Sequence, residues 1–264
     1  MADLPTKSLL EESLPAESLR VELLRPNEIR AALSRVNVVY IPLGTIEYHS
    51  EHLPIGLDAL NAHSVCLMAA DKFGGIVWPP LYYGTGGGHS DYPWTVMIDD
   101  AELIRALIIK TLQRLTDMEA ELAVIFTGHF ADEQLALIAD IESTWNSEGH
   151  SLTVLSLAVN MPLVDAPEPD HAGVFETTLF SATWPERIDL AQLPSLAKAP
   201  SIDPGGDSMG PQRHDPGHPL WGIFGPDPRM FDASSGPALL EKLAEEVVAR
   251  VMAVGPQTPR PSGA

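Results

Sequence analysis

Cysteine is nearly absent from this sequence, since Cys66 is the only one among 264 residues. A single cysteine can form neither an intrachain disulfide nor a thiolate metal cluster. Any metal site in this chain must therefore be built from histidine and carboxylate side chains.

Basic residues are also scarce, because 16 Lys and Arg stand against 36 Asp and Glu, which gives a formal net charge of −20. A surface of this charge repels phosphate backbones and anionic lipid headgroups. We therefore expect no nucleic-acid partner and no membrane partner.

Long apolar runs are missing, and no stretch reaches the roughly 20 apolar residues that span a bilayer. The acidic N-terminal residues 1–22 lack the basic and apolar regions of a signal peptide. These two absences predict a cytoplasmic protein.

The composition that remains is typical of a packed globular protein, with 45% hydrophobic and 20% charged residues. The length suits one large α/β domain. We predict an irregular segment over residues 1–24, a single domain over 25–254 and a disordered tail over 255–264.

Helix and strand patterns alternate along the chain. We predict helices at 26–35, 61–73, 99–118, 132–145 and 236–254, and strands at 36–43, 76–81, 122–126 and 152–158. In the third helix, the apolar spacing predicts that Ile104, Leu107, Ile108, Leu112 and Leu115 face the core. Such alternation predicts an α/β fold with three layers, α/β/α, around a mainly parallel sheet. Residues 194–229, rich in Pro, Gly, Asp and Ser, form a predicted loop with a functional or subunit-contact role.

The segment GTIEYHSEHLPIGLD, residues 44–58, directly follows a predicted buried strand, where parallel sheets gather their ligands. Glu47 and His49 are two residues apart, so an extended chain directs both side chains to the same side. Asp58 follows after Pro54 and Gly56 can turn the chain. This set of ligands suits Zn, Mn or Fe, although the same residues could also be polar side chains of a loop on an acidic surface.

Two later segments add candidates for the same site. His129 follows the strand at 122–126, although a lone histidine there is more often structural. The segment DHAGVFETTLF, residues 170–180, offers His171 and Glu176 at the start of a predicted helix. A histidine at a helix start can also simply bond to the backbone.

Together these segments resemble the creatininase family. GTIEYHSEHLPIGLD is similar to the family signature, in which a Gly, a Glu-x-His pair, a His-Leu-Pro stretch and a later Asp recur in this order. TGHF resembles its Gly-His segment, and GIFGPDPRMFDASSG its glycine-rich C-terminal stretch. HAGVFET resembles its His-Ala-Gly-Glu-x-Glu-Thr segment, with Val174 in place of the first Glu. The resemblance covers residues 36–254 in the same order, and it is the combination of segments that makes it specific.

The resemblance implies two divalent ions per chain, Zn, Mn or Fe. Asp58 would bridge them, Glu47 and His129 would complete one site, and His49 would serve the other. Creatininase takes a further ligand from a Glu two residues after the strand-end histidine, where this chain has Ala131. We expect Glu176 to replace it, in preference to Asp132 or Glu133, which fall where a helix should begin.

The implied activity is that of a metal-dependent amidohydrolase, which cleaves a non-peptide or small-molecule amide C–N bond with a metal-activated water. His171 is the predicted proton shuttle, and Glu176 belongs to the same catalytic group. His89 and Phe130 are predicted to contact the substrate, although His89 could instead stabilise a turn. The resemblance also implies a homo-oligomer, a hexamer in particular.

Departures from the pattern limit the substrate. Pro167 replaces an aromatic residue of creatininase, and Phe130 replaces a Tyr, so a small amide is predicted rather than creatinine itself. The family also includes formamidopyrimidine deformylases and a peptidase of cofactor maturation. Two alternatives stay open: a non-catalytic relative that has lost one metal, and a dinuclear phosphoesterase, which the acidic charge disfavours.

Overall fold

The computed structural model describes residues 19–89, 91–200 and 210–255, and it contains one parallel sheet in the order β2-β1-β3-β4. The strands are β1 (Val38–Leu43), β2 (Ile76–Val77), β3 (Leu122–Thr127) and β4 (Thr153–Ala158). β1 and β3 pair along their full length, from Val38 opposite Leu122 to Leu43 opposite Thr127. All residues of both strands are buried, which explains their continuous apolar sequence.

The helices of the described residues lie before, between and after these strands. They are α1 (Pro26–Arg35), α2 (Leu57–Phe73), α3 (Ala101–Asp117), α4 (Asp132–Ser147), α5 (Val174–Ser181), α6 (Pro211–His214) and α7 (Gly236–Val254). Short 3-10 turns add Val21–Leu23, Pro185–Arg187, Leu190–Gln192, Pro228–Met230 and Ala233–Ser235.

Helices cover both faces of the sheet. Val38 and Tyr40 of β1 face a core cluster built with α2, α5 and α7. Val39 and Ile41 point to the opposite face, where α1, α3 and α4 pack. Successive residues of β1 thus alternate between two faces, each covered by helices. This arrangement confirms the predicted three-layer α/β/α architecture with a parallel sheet.

Several predicted boundaries are wrong. α2 begins at Leu57 rather than 61, so Asp58 lies in the first turn of a helix and not in a loop. The strand predicted at 76–81 ends at Val77, because Pro79 and Pro80 have no N–H to donate to a ladder. β1 begins at 38 rather than 36, and α4 continues to 147 rather than 145.

In α3, one residue that the sequence predicts to face the core is exposed. Ile104, Ile108, Leu112 and Leu115 are buried as predicted, but Leu107 is 53% exposed. The buried residues recur at intervals of three and four along a single stripe, and Leu107 falls beside that stripe.

The predicted loop at 194–229 contains α6 and one 3-10 turn, while its residues 201–209 lie outside the described residues. Most of the predicted irregular N-terminus (1–18) and of the predicted disordered tail (256–264) also lies outside them. The single-domain prediction for 25–254 stays a prediction.

Within the described ranges, none of the helices combines the length and the apolarity that crossing a lipid bilayer requires.

Candidate metal centre

Two glycines let the start of α2 pack directly on the ends of β1 and β3. A Cβ atom on Gly128 would lie 2.0 Å from the carbonyl oxygen of Asp58, and one on Gly44 would lie 2.2 Å from the amide nitrogen of Ala59. Side chains cannot fit at such distances, so only glycine permits this contact. The close approach places Asp58 at the carboxyl ends of both central strands.

The segment after β1 is fixed in an extended form. Ile46 pairs with Val96 across an antiparallel bridge, and the Glu47 N–H donates to the Ile55 carbonyl over 2.8 Å. Glu47 and His49 are both fully buried. The extended backbone therefore directs both side chains into the interior, as their spacing predicts.

Four of the predicted residues meet where the strands end. His49 Nε2 lies 3.1 Å from Asp58 Oδ1, and His129 Nδ1 lies 3.5 Å from Asp58 Oδ2. His129 Nδ1 also lies 3.0 Å from Glu47 Oε2. The two oxygens of Asp58 thus face two different histidines.

The His-Ala-Gly turn brings the third segment to the same place. Ala172 adopts a left-handed φ of 54°, and its N–H donates to Glu176 Oε2 over 2.6 Å. Glu176 Oε2 lies 3.5 Å from His49 Nε2, and the rings of His171 and His49 stack at 4.4 Å. A strained turn in a buried position is typical of functional sites.

Asp170 holds this turn, and the sequence patterns missed it. Its carboxylate accepts hydrogen bonds from the N–H groups of Gly173, Phe175 and Glu176 at 3.1, 2.8 and 3.2 Å. These are the otherwise unpaired donors at the start of α5. Asp170 therefore fixes the beginning of the helix that carries Glu176.

Two groups of side chains can each hold a metal ion, and they share Asp58. In each group, one possible ligand atom per residue lies within 4.8 Å of the others: Glu47, Asp58 and His129 form one group, and His49, Asp58 and Glu176 the other. Glu47, His49 and His171 form a third group by the same measure. All these residues are buried.

The imidazoles are oriented as metal ligands usually are. One nitrogen of each ring lies beside a backbone carbonyl: His49 Nδ1 is 3.0 Å from Glu47 O, and His129 Nε2 is 3.2 Å from Thr85 O. An N–H at these positions leaves the second nitrogen of each ring to face the carboxylates. Metal-binding histidines donate their other N–H to a carbonyl in this way.

Several of the converging atoms lack hydrogen bonds. Glu47 Oε2, His49 Nε2 and Asp58 Oδ2 are buried and have no hydrogen-bond partner among the described residues, despite the short separations above. Buried polar atoms are normally paired. Ligand atoms directed at a common point, rather than at one another, account for this arrangement.

The pKa values show how strongly these charges depend on one another. Burial raises the pKa of Glu47, but the neighbouring His129 and His171 hold it well below its usual range. Burial lowers the pKa of His49, but Asp58 and Glu176 raise it to about 10. Buried carboxylates here require nearby positive charge, which either an imidazolium or a divalent cation can supply.

In the third segment, the pKa values of the carboxyl group and the imidazole shift in the opposite directions. Burial and the charge of Asp58 raise the pKa of Glu176 well above its usual range. Burial and the neighbouring His49 push the pKa of His171 well below its usual range. A carboxyl group whose ionised form is this unfavourable gains most from a cation beside it.

The site opens into a cavity of about 510 Å³, which Asp58, His129, His171 and Glu176 help to line. The two predicted substrate contacts, His89 and Phe130, also line it. His89 Nδ1 forms a short hydrogen bond with Glu47 Oε1, and the ring stacks on Tyr92 at 4.9 Å. His89 therefore orients Glu47 as well as facing the cavity.

The alternative ligands lie outside the three groups. Ala131 lines the cavity and precedes α4, so no carboxylate reaches the site from that position. Asp132 and Glu133 line the cavity too, but Glu133 Oε2 accepts a hydrogen bond from the Gly87 N–H at 3.2 Å. Neither residue belongs to a possible ligand group of the described residues.

The sequence patterns also missed an aromatic and cationic wall of the cavity. Phe224 stacks on His171 at 4.4 Å, and Arg213 lies over the Phe224 ring at 4.6 Å. Tyr92 and Trp221 pack edge to face beside them at 5.2 Å. The glycine-rich stretch that contains Phe224 is the one signal in the sequence, whereas Arg213 falls in the predicted loop at 194–229, where no pattern singles it out.

Comparison with known families gives one match over most of the chain. The family described as "Creatininase: Creatinine amidohydrolase" matches residues 22–251. This range includes every candidate ligand.

The similar characterised proteins are described either as a creatinine amidohydrolase or as a mycofactocin precursor peptide peptidase. A creatinine amidohydrolase of Pseudomonas putida is 29% identical over 58% of this chain and 66% of its own length. A mycofactocin precursor peptide peptidase of Mycolicibacterium smegmatis is 30% identical over 59% of this chain and 61% of its own length. The chain thus spans slightly less than two thirds of these two relatives. The corresponding peptidase of Mycobacterium ulcerans is 26% identical over 85% of this chain and 87% of its own length.

Solved structures share the fold. A creatinine amidohydrolase (creatininase) superposes with a TM-score of 0.70 at 23% identity, over 92% of this chain and 100% of that one. A structure described as manganese creatininase gives 0.68, and so does a mutant creatininase of the Zn–Zn type. At these identities the likeness concerns the fold.

Proposed function

This chain belongs to the creatininase family, and we propose that it is a metal-dependent hydrolase that cleaves the amide C–N bond of a small molecule. Two divalent ions per chain, Zn, Mn or Fe, would be its cofactors. Relatives and related structures that are named as amidohydrolases, as a manganese form and as a Zn–Zn form support this proposal.

One observation carries the proposal: the buried carboxylate of Asp58 belongs to two ligand groups. Its Oδ1 faces His49 and its Oδ2 faces His129, at 3.1 and 3.5 Å. A carboxylate that serves two groups is the usual bridge of a dinuclear centre. Glu47 and His129 would complete one site, and His49 and Glu176 the other.

The donor set suits the proposed ions. Imidazole and carboxylate ligands fit Zn, Mn and Fe, and each group supplies three protein ligands, the number that catalytic zinc sites keep. Ions in these sites would supply Lewis acidity and lower the pKa of water for attack on the amide.

Three further residues of the cavity have proposed roles in proton transfer and substrate binding. His171 is the proposed proton donor to the departing nitrogen: it lines the cavity, its Nε2 bonds to Tyr48 O, and its Nδ1 lies 3.8 Å from Glu47. His89 orients Glu47 through their hydrogen bond and, with Phe130, would contact substrate. A cavity of about 510 Å³ has the size of a small-molecule site.

Metal content and an amide panel test the proposal. We expect about two ions per chain after reconstitution with Mn or Zn, and hydrolysis of at least one class of small amide. No bound metal after reconstitution would contradict the proposal and favour a non-catalytic relative. Hydrolysis of phosphate esters without amide hydrolysis would identify a phosphoesterase instead.

His171→Gln separates its two possible roles, since His171 also belongs to a ligand group. We expect the variant to keep both ions and to lose activity by about 100-fold or more, the contribution typical of a general acid. Loss of one ion would assign His171 to the metal instead.

A homo-oligomer, in particular a hexamer, and a cytoplasmic location remain predictions from the sequence. Light scattering of the purified chain tests the first, and a monomer mass would contradict it.

A further inference from the structure

We propose that Arg213 makes the cavity selective for amides that carry a carboxylate group. This inference rests on the proposed function and names a substrate class for it. Arg213 lies in the short helix α6 and lines the same cavity as Asp58, His129 and Glu176.

The side chain of Arg213 is held in place on both sides. Its Nη2 donates to the Gly87 carbonyl over 2.6 Å, and its guanidinium lies 4.6 Å from the centre of the Phe224 ring. Phe224 itself stacks on His171 at 4.4 Å with an interplanar angle of 9°. The guanidinium is therefore coupled by direct contacts to a residue of the candidate centre.

The backbone of Arg213 is fixed as well. Its carbonyl oxygen accepts hydrogen bonds from the Tyr92 hydroxyl at 2.7 Å and from the Trp221 indole N–H at 3.3 Å. Two aromatic side chains thus anchor the residue that supplies the charge. A group positioned before binding loses little conformational entropy when a ligand arrives, which favours affinity and selectivity.

The charge of Arg213 has no acidic partner among the described residues. No carboxylate oxygen there lies within 4.0 Å of its guanidinium, whereas Arg229, whose side chain is 8% exposed, pairs with Asp227 at 2.6 Å. Arg229 also donates to the carbonyls of Pro194 and Ala199 at 2.5 and 2.7 Å. Arg229 is thus a neutralised structural arginine, whereas the described residues leave Arg213 a cation with donors to spare.

An arginine of this kind selects for a carboxylate. A guanidinium offers five N–H donors in a planar fork, and among the described residues Gly87 O is the one acceptor for that of Arg213. The fork matches a carboxylate in two parallel hydrogen bonds, which are stronger than neutral ones. A neutral amide would leave this charge uncompensated when it displaces water from the cavity.

The charge balance at the proposed centre also favours an anion. Glu47, Asp58 and Glu176 contribute three negative charges, and two divalent ions would contribute four positive charges, which leaves a net charge of about +1. Arg213 adds another positive charge on the same cavity. Asp132 and Glu133 are acidic and line the cavity too, but they lie outside the ligand groups, and Glu133 accepts a hydrogen bond from the Gly87 N–H.

Two matched probes test the selectivity without any need for turnover. They are succinic acid monohydroxamate, which ends in a carboxylate, and the corresponding primary amide, which is neutral. Calorimetric titration into the metal-loaded full-length protein should show that the carboxylate binds at least about tenfold more tightly, the value of one charge-assisted hydrogen bond. Arg213→Gln should reduce that ratio to near one, and Arg213→Lys should retain part of it.

Arg187→Gln is the matched control, because the Arg187 side chain is 70% exposed and lies outside the cavity. It should leave the ratio unchanged, and all variants should keep the parent's metal content. Equal affinity of the two probes for the parent, or an unchanged ratio in Arg213→Gln, overturns the inference while the proposed function stands. Failure of both probes to bind a protein that holds two ions also overturns it. A protein that binds neither ions nor probes removes the proposed function as well.

Discussion

The candidate site has two halves that are built differently. The strand-end half consists of Glu47, His49, Asp58 and His129, and the loop half consists of His171, Glu176, Arg213 and Phe224. Residues of the strand-end half follow the paired strands β1 and β3 or lie at the start of α2, and Gly44 and Gly128 allow α2 to pack directly on the ends of these strands. The loop half depends on hydrogen bonds and ring contacts between distant segments.

The two halves therefore differ in how firmly the protein holds their side chains. Residues of the strand-end half cannot move without disturbing β1 and β3, whose residues are all buried. In the loop half, the position of Glu176 depends on one carboxylate, that of Asp170, which holds the start of α5. Variants of the two halves should therefore fail in different ways.

Asp58→Ala should have the largest effect, because it removes the carboxylate shared by both ligand groups. We expect the metal content to fall from about two ions to near zero and the hydrolytic activity to disappear. Elemental analysis after dialysis measures this. Asp71→Ala, at an exposed position of the same helix, is the control and should keep both ions. Retention of both ions by Asp58→Ala would refute its bridging role.

Gly128→Ala tests the rigid placement itself. The new Cβ would lie 2.0 Å from the Asp58 carbonyl oxygen, so the strand end and the helix must separate. We expect a loss of about 3 kcal/mol in the free energy of unfolding, the upper range for overpacking, and weaker binding of both ions. Thermal and urea unfolding measure the loss.

Gly217→Ala serves as the control for this glycine, since its new Cβ would meet the exposed Asp215 side chain at 3.2 Å. It should change stability by less than about 0.5 kcal/mol, as surface substitutions usually do. Comparable losses in the two variants would contradict a special role for Gly128.

Glu176→Gln should affect one ion only, because Glu176 belongs to a single ligand group with His49 and Asp58. The fold and the first ion should be kept, while the second ion binds about 10- to 100-fold more weakly. Activity should fall and return in part at high metal concentration. Glu186→Gln, at an exposed position, is the control. If Glu176→Gln binds both ions as tightly as the parent, the ligand lies elsewhere and Asp132 is the next candidate.

Asp170→Asn should have the smallest effect of the four on metal binding, because it acts through Glu176. The amide group that replaces one carboxylate oxygen cannot accept a hydrogen bond, so one buried N–H of the α5 start loses its partner at a cost of about 1–3 kcal/mol. The second ion should bind severalfold more weakly while the first is unchanged. Isothermal titration with Mn measures both.

Asp189→Asn is its control, since Asp189 accepts from the Ala191 N–H at an exposed 3-10 turn. That variant should leave both ions unchanged. Equal weakening of the two ions in Asp170→Asn would show that Asp170 supports the whole centre rather than the loop half.

The sequence predicts the strand-end half well because its signals are local. Continuous apolar strands are recognisable, and polar residues directly after them predict a site at one edge of the sheet. The start of α2 was the exception: Pro54 and Gly56 predict a turn, and contact with the strand ends lets the helix begin at Leu57. Local patterns do not contain that contact.

The loop half was predicted only in part, because contacts between distant residues define it. The bond from Arg213 to Gly87 spans 126 residues of sequence, and that from His171 to Tyr48 spans 123. No periodicity relates such positions. The segment at 170–180 offers His171 and Glu176, and resemblance to a family assigns their roles, but it assigns none to Asp170, Arg213 or Phe224.

The strand order has one further consequence for this molecule. Along the chain, β1 is followed by β2 on one side and β3 on the other, and the helices that lead to them, α2 and α3, cover opposite faces. Connections that diverge in this way leave a crevice where the strand order reverses. The crevice therefore arises from chain topology, before any ligand is chosen. A descendant that lost every metal ligand would keep a pocket here, available for a different chemistry.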